Sequence, residues 1–179
     1  HSYKKIIYDR IDMLPKLRVM AQNQSNVQGH PWNNMTDDEL LKSARLYTID
    51  RVTGKHGFNL AAVMLLGKDE VIMDIVPAYV TDALLRRINM DRYDDREIVQ
   101  TNLIESYELL MEFARKHLPD KFFMEGDQRK SLRNIITREM IANTLIHREY
   151  TSPYQAKFVI EKDRMYVENA TGLLRMRLL

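Results

Sequence analysis

The chain has 179 residues, 45% of them hydrophobic, and 27 Lys and Arg against 25 Asp and Glu for a formal net charge of +2. That apolar content supports one globular domain or two small ones sharing an interface, and the near-balanced charge gives no overall field toward nucleic acid. The absence of cysteine excludes disulfides, thiolate metal sites and cysteine nucleophiles, and with neither a membrane-length apolar window nor a signal-peptide pattern the expected location is the cytoplasm.

Ile11, Leu14, Leu17 and Met20 recur at three-residue steps, with Pro15 among them. They predict a short helix beginning near Pro15. Gln22 to His30 is rich in Asn, Gln, Ser and Gly and reads as a loop or linker. Thr36-Asp37-Asp38-Glu39 is a capping-box pattern that starts a helix running toward Leu46. Thr53 to Gly57 reads as a turn, and Leu60 to Leu66, apolar on every side, as a buried helix because its Ala, Met and Leu residues favour one.

Val71 to Val76 and Tyr79 to Ile88 read as strands separated by Pro77, with Asp82 to Arg87 equally readable as helix. Apolar residues at 98, 99, 103, 104, 107, 110, 111 and 114 predict a long amphipathic helix from Arg96 to Leu118, ended by Pro119. Phe122 to Met124 is a predicted short strand, followed by the polar link 125–128 and a helix over Ser131 to Arg148. Ala156 to Ile160 and Met165 to Val167 alternate around the turn 161–164 and predict a β-hairpin. Mixed helices and short strands make the expected class α+β. The expected organisation is an N-terminal helix and linker (1–29), a mixed α/β middle region (30–119) and a final region (120–179).

Several local patterns are read as structural. Gly54-Lys55 and Gly67-Lys68 lack the rest of a phosphate-loop motif. Asp91, Asp94 and Asp95 lie among arginines and read as a solvated turn capping the next helix. The basic clusters Arg86-Arg87, Arg129-Lys130-Arg133 and Arg175 with Arg177 read as solvated faces, Trp32 as a local core plug, and His147-Arg148 as partners of a helix C-terminal dipole. Five histidines, at 1, 30, 56, 117 and 147, lack ligand spacing.

The most informative stretch is REMIANTLIHREY, residues 138–150. Glu139, Asn143 and His147 follow at four-residue steps, which aligns them on one helical face. On a helical wheel Asn143 falls between Leu132, Ile136 and Met140 on one side and Ile135 and Ile146 on the other. A buried amide left unpaired costs about 1–3 kcal/mol, so a backbone group, a water, or a ligand with its metal must satisfy it. Downstream, Glu168-Asn169-Ala170-Thr171-Gly172 is a polar, glycine-containing exit from a strand.

The ordered segments HPWNNMTDDELL, TGKHGFNLAAVMLLGKDE, DRYDDR, TNLIESYELL, KHLPDKFFMEGDQR and REMIANTLIHREY resemble a family of bacterial proteins described as transcriptional regulators or as ATP-dependent DNA helicase-related (RecG-like) proteins. These join an N-terminal Schlafen/AlbA-type DNA-binding domain to a divergent GHKL-type ATP-binding domain. The resemblance implies that Glu139 polarises the attacking water as general base and that Asn143 coordinates a Mg²⁺ bridging the phosphates of ATP. His147, Asn169 and Gly172 would complete the nucleotide site.

The chain departs from the GHKL pattern where Asn169-Ala170-Thr171-Gly172 stands in place of D-x-G-x-G. The start at His1 and the end at Leu179 lead us to expect an excised segment. It would lack the upstream domain through which DNA would be bound and the later segment that would close over phosphates. The competing expectation is a degenerate, non-catalytic module in which the same helix and hairpin form a homodimer or interdomain face.

Overall fold

The computed structural model describes residues 13–25, 29–89, 91–120, 122–125, 128–169 and 172–177. Helices and short strands share the chain, so the class is α+β. The chain divides into two compact units, His1–Ile72 and Met73–Leu179.

In the first unit, helix α1 (Met13–Ser25) is followed by a 3-10 turn (Pro31–Asn33) and helix α2 (Asp37–Ser43). The helix α1 extends through Gln22 to Ser25, where a loop was expected. Arg18 ties these pieces together by donating to the Trp32 carbonyl and, at 2.8 Å, to Asp37. The Thr36–Glu39 capping box forms as predicted, with the Glu39 N–H on the Thr36 hydroxyl and the Glu39 carboxylate on the Thr36 N–H at 2.8 Å.

Helix α2 stops at Ser43, short of Leu46, because Arg45 turns left-handed at φ 55°. The Leu46 N–H then returns to the Leu41 carbonyl and the Arg45 N–H to Lys42, at 2.8 and 3.0 Å. That pairing is a Schellman stop. Strands β1 (Tyr47–Ile49) and β2 (His56–Phe58) follow as an antiparallel hairpin; its second arm takes up His56 and Gly57, which were expected in the turn. Helix α3 (Leu60–Leu66) is N-capped by Asn59, as its composition favoured. It ends at Gly67, where a Cβ would meet the Val63 carbonyl oxygen at 2.3 Å, so only glycine fits there.

Helix α4 (Asp69–Ile75) occupies most of the stretch expected as a strand. Val71 and Ile72 are buried while 73–75 are exposed, a helical pattern of one inward face, and Asp69 and Glu70 place acidic charge on the first turn, where the helix dipole favours it.

The second unit is built on a five-stranded sheet of order β4-β3-β7-β8-β9. Its strands are β3 (Thr81–Arg86), β4 (Asp95–Val99), β7 (Ala156–Glu161), β8 (Arg164–Asn169) and β9 (Gly172–Arg177). The β3–β7 pair is parallel, in register from Thr81 opposite Ala156 to Arg86 opposite Glu161, and the other pairs are antiparallel. Strand β4 takes the first residues of the segment expected as one long helix. Helix α5 (Leu103–His117) starts only after Asn102 caps it. The Asp91–Asp95 stretch leads into β4 rather than capping a helix: the Asp94 carboxylate accepts the N–H groups of Arg87, Ile88 and Asn89 and holds the turn.

A small hairpin, β5 (Phe122–Glu125) with β6 (Gln128–Ser131), leads into helix α6 (Leu132–Ile146). Helices α5 and α6 pack on each other and against the sheet. Phe113 of α5 meets Phe158 of β7 edge-on, and both are almost fully buried. Burying such a ring is worth roughly 1.5–3 kcal/mol. The parallel β3–β7 pairing puts residues on both sides of 119–129 into one sheet, within the unit Met73–Leu179.

Candidate functional site

Helix α6 is capped by the Ser131 hydroxyl, which accepts the Asn134 N–H at 3.1 Å. Its inward side is Thr137, Met140, Ile141, Thr144 and Leu145, all buried. Of the apolar residues anticipated around Asn143, Met140 belongs to this buried side and Ile136 is half-buried, so the stripe is split between the core and the open side. Leu132, Ile135 and Ile146 are exposed at 40%, 47% and 67%, and Asn143 among them is half-buried. The core prefers the threonine side because a small side chain fits close to a neighbour and can bond its own helix, as Thr144 does through Oγ1 to the Met140 carbonyl at 2.7 Å. The Thr137 hydroxyl has no hydrogen-bond partner among the described residues.

Glu139 and Asn143 meet as their spacing predicted. The Asn143 Nδ2 donates to Glu139 Oε1 at 3.1 Å on the open side of the helix. With Nδ2 directed at the carboxylate, Oδ1 points the other way, and that amide oxygen is the kind of hard ligand Mg²⁺ takes alongside waters and phosphates. The residues present therefore fit a phosphate-bound Mg²⁺ held by a single protein oxygen. Among the described residues no group of three or more His, Asp or Glu could hold a metal by itself.

Asn169, at the end of β8, lies on the sheet face shared with Met165 and Val167, which alternate with it. It donates from Nδ2 to the Thr144 carbonyl at 3.2 Å. That bond brings the strand end onto α6 one residue from Asn143. Gly172 opens β9 directly opposite Asn169. His147 is exposed and is the C-terminal cap residue of α6, its N–H returning to the Asn143 carbonyl at 3.0 Å. Of the five residues singled out from the sequence, Glu139, Asn143 and His147 follow along the second half of α6, Asn169 is bonded to that helix, and Gly172 pairs with Asn169 on the next strand.

Arg148 has a different use from the dipole partner expected. It is 6% exposed, and its guanidinium donates to the Val80 and Ala78 carbonyls at 2.9 and 2.6 Å while lying 5.1 Å from the centre of the Tyr79 ring. Burial lowers its pKa, partly offset by Tyr79 and Tyr150. Burial likewise pushes the Tyr150 phenol up to about 12, and its OH donates to the Leu145 carbonyl. Tyr79 donates to Ser106 Oγ at 3.1 Å. This cluster pins the end of α6 to the approach to β3. Nothing in sequence spacing marks it, because Arg148 and its acceptors are 68 and 70 residues apart.

A family model described as a domain of unknown function, DUF8451, matches residues 8–82. The residues gathered on α6 and β8 lie outside that match. No curated protein matches the chain. The crystal structure of the DIP2311 protein from Corynebacterium diphtheriae is similar in fold, with a TM-score of 0.57 at 15% identity over 88% of this chain. This chain spans 30% of that one.

Proposed function

We propose that the second unit is the nucleotide-binding part of a cytoplasmic, DNA-associated transcriptional regulator, with a divergent GHKL-like ATP site on the open side of α6. The observation that supports this most is the Glu139–Asn143 pair, one helical turn apart on an accessible face, with Asn169 bonded to the same helix. A bound Mg²⁺ would neutralise phosphate charge. Asn143 Oδ1 would hold it, and Glu139, next to it, would orient a water against the terminal phosphate.

Asn169 stands where the GHKL pattern has Asp, and an amide is a weaker acceptor than a carboxylate toward the base. With Gly172 alone in the glycine box, the reading is of nucleotide binding with little turnover by this chain. DNA would be engaged through the AlbA-type domain that the resemblance places upstream. Among the described residues no helix is long and apolar enough to cross a membrane.

A second reading is favoured by Leu132, Ile135 and Ile146, which are exposed beside the polar pair. Apolar side chains of this size around a satisfied Glu–Asn pair suit a homodimer or interdomain face. Calorimetric titration of Mg²⁺-ATP into the chain and into its Asn143→Ala variant separates the two. The nucleotide reading expects binding that the variant abolishes while its melting curve is unchanged. The absence of heat from either protein, with a concentration-dependent dimer that the variant weakens, would replace it with the second reading.

A further inference from the structure

The β1–β2 hairpin of the first unit gathers positive charge. Residues 45–56 hold Arg45, Arg51 and Lys55 against one carboxylate, Asp50. All three cations are exposed, and none forms an ion pair among the described residues. Asp50 is occupied by the turn: its carboxylate accepts the Val52 N–H at 2.9 Å and the Thr53 hydroxyl at 2.5 Å.

The loop is closed and stiff. The Asp50 N–H meets the Lys55 carbonyl at 2.9 Å and the Gly54 N–H meets the Asp50 carbonyl at 2.8 Å, while Gly54 takes the left-handed φ of 68° that glycine tolerates. Tyr47 braces the arms, stacked on His56 and edge-on to Phe58. At the tip Val52 is 94% exposed, an apolar side chain in the loop between the strands that also carries Arg51 and Lys55. At the foot Arg45 sits at φ 55°, where glycine or asparagine would be less strained. Its carbonyl is fixed by the Asn59 amide at 2.7 Å.

From this we infer that the β1–β2 hairpin docks double-stranded DNA, with Arg45, Arg51 and Lys55 on phosphates and Val52 at the base edges. Two paired strands lie about 4.8 Å apart, narrow enough to enter a groove of the duplex. An apolar side chain among cations in one loop matches the way side chains wedge at base steps while neighbouring cations hold the backbone. A loop already closed in the free chain loses little freedom on binding. The hairpin lies within the segment matched by the family of unknown function, and the inference stands whether or not the second unit takes nucleotide.

The test is fluorescence anisotropy of a short, labelled, random-sequence duplex titrated with the chain over a range of salt concentrations. Each phosphate contact adds about 0.9 to the slope of log affinity against log salt. Arg51→Gln combined with Lys55→Gln is therefore expected to flatten the slope by about 2 and to weaken binding at least roughly tenfold at low salt. Val52→Ala is expected to weaken binding with the slope unchanged. Neither variant removes a side chain that takes part in the hairpin's hydrogen bonds, so both should melt with the wild type. Absence of salt-dependent binding, or an unchanged slope in the double variant, would overturn the inference. Equal or tighter binding to single-stranded DNA or to phosphatidylserine vesicles would overturn it too.

Discussion

Asn102 and Asn143 are the same residue on two packed helices, each bonded to a glutamate within one turn, and they are used in opposite ways. Asn102 is fully buried at the start of α5, where its Oδ1 accepts the Glu105 N–H at 3.0 Å and its Nδ2 donates to the Glu105 carboxylate at 2.7 Å. Both ends of that amide serve a helix terminus that would otherwise hold an unsatisfied donor. Asn143 lies in the last turn of α6, where its own carbonyl accepts the His147 N–H and the backbone makes no use of its side chain among the described residues. Its single bond to Glu139 leaves an oxygen that the fold does not require. An amide spent on backbone is architecture, whereas an amide with an oxygen to spare on an open face is a ligand-binding candidate.

The comparison can be broken at several strengths. Arg148→Met removes the guanidinium from the Val80 and half-buried Ala78 carbonyls, which keep the Ala156 and Val80 N–H groups as donors, and should cost about 2–3 kcal/mol through the lost charge-assisted bonds, read as a fall in the urea midpoint. A loss below about 1 kcal/mol would show that water replaces the guanidinium and that Arg148 is not architectural. Asn102→Ala should cost about 1–2 kcal/mol by loss of the cap, whereas Asn143→Ala and Glu139→Gln should stay within about 0.5 kcal/mol of wild type. Equal costs for the two asparagines in chemical denaturation would erase the distinction drawn between them.

A smaller effect is expected from Asp95, whose carboxyl is held below the usual range by Lys116 and then His117, at 2.7 and 2.8 Å. A depressed folded pKa contributes stability that is present above the unfolded value, about 3.9, and is lost as pH falls through the lower folded value. Asp95→Asn should therefore lower the urea midpoint at neutral pH, with the gap to wild type closing as the pH drops below about 4. A gap independent of pH would assign the loss to packing.

Much of this was legible in the chain where local chemistry decides. The Thr36–Glu39 box, the helix at 60–66 and the β7–β8 hairpin all follow from residues within a few positions of each other. The errors arose where two periods fit one sequence. Ile98 and Val99 continue the apolar spacing of α5, yet they end a strand, because β4 pairs with β3 and only that pairing reveals period two. Val71 and Ile72 suggest a strand by type, but the acidic first turn and a single buried face make a helix. On α6 the apolar residues lie on several sides, so a wheel could not say which side is inward. The threonines, polar by type, mark the buried side.

The same limit applies to the site. Spacing brought Glu139 and Asn143 together, and the strand exit at Asn169 could be named, but the bond from Asn169 to the Thr144 carbonyl depends on a sheet assembled from distant segments. Arg148 was placed at the right helix end and given the wrong partners, since its acceptors precede β3.

The central claim, a nucleotide site on the open side of α6, is tested most directly by ¹⁵N NMR of the chain with Mn²⁺-ATP, a paramagnetic stand-in for the Mg²⁺ complex. The account predicts selective broadening of the Asn143 side-chain amide, of the backbone amides from Glu139 to His147, and of the Asn169 side chain, reversed by excess Mg²⁺-ATP. Broadening centred elsewhere, or none at saturating complex, would contradict it and leave the exposed face of α6 to a protein partner.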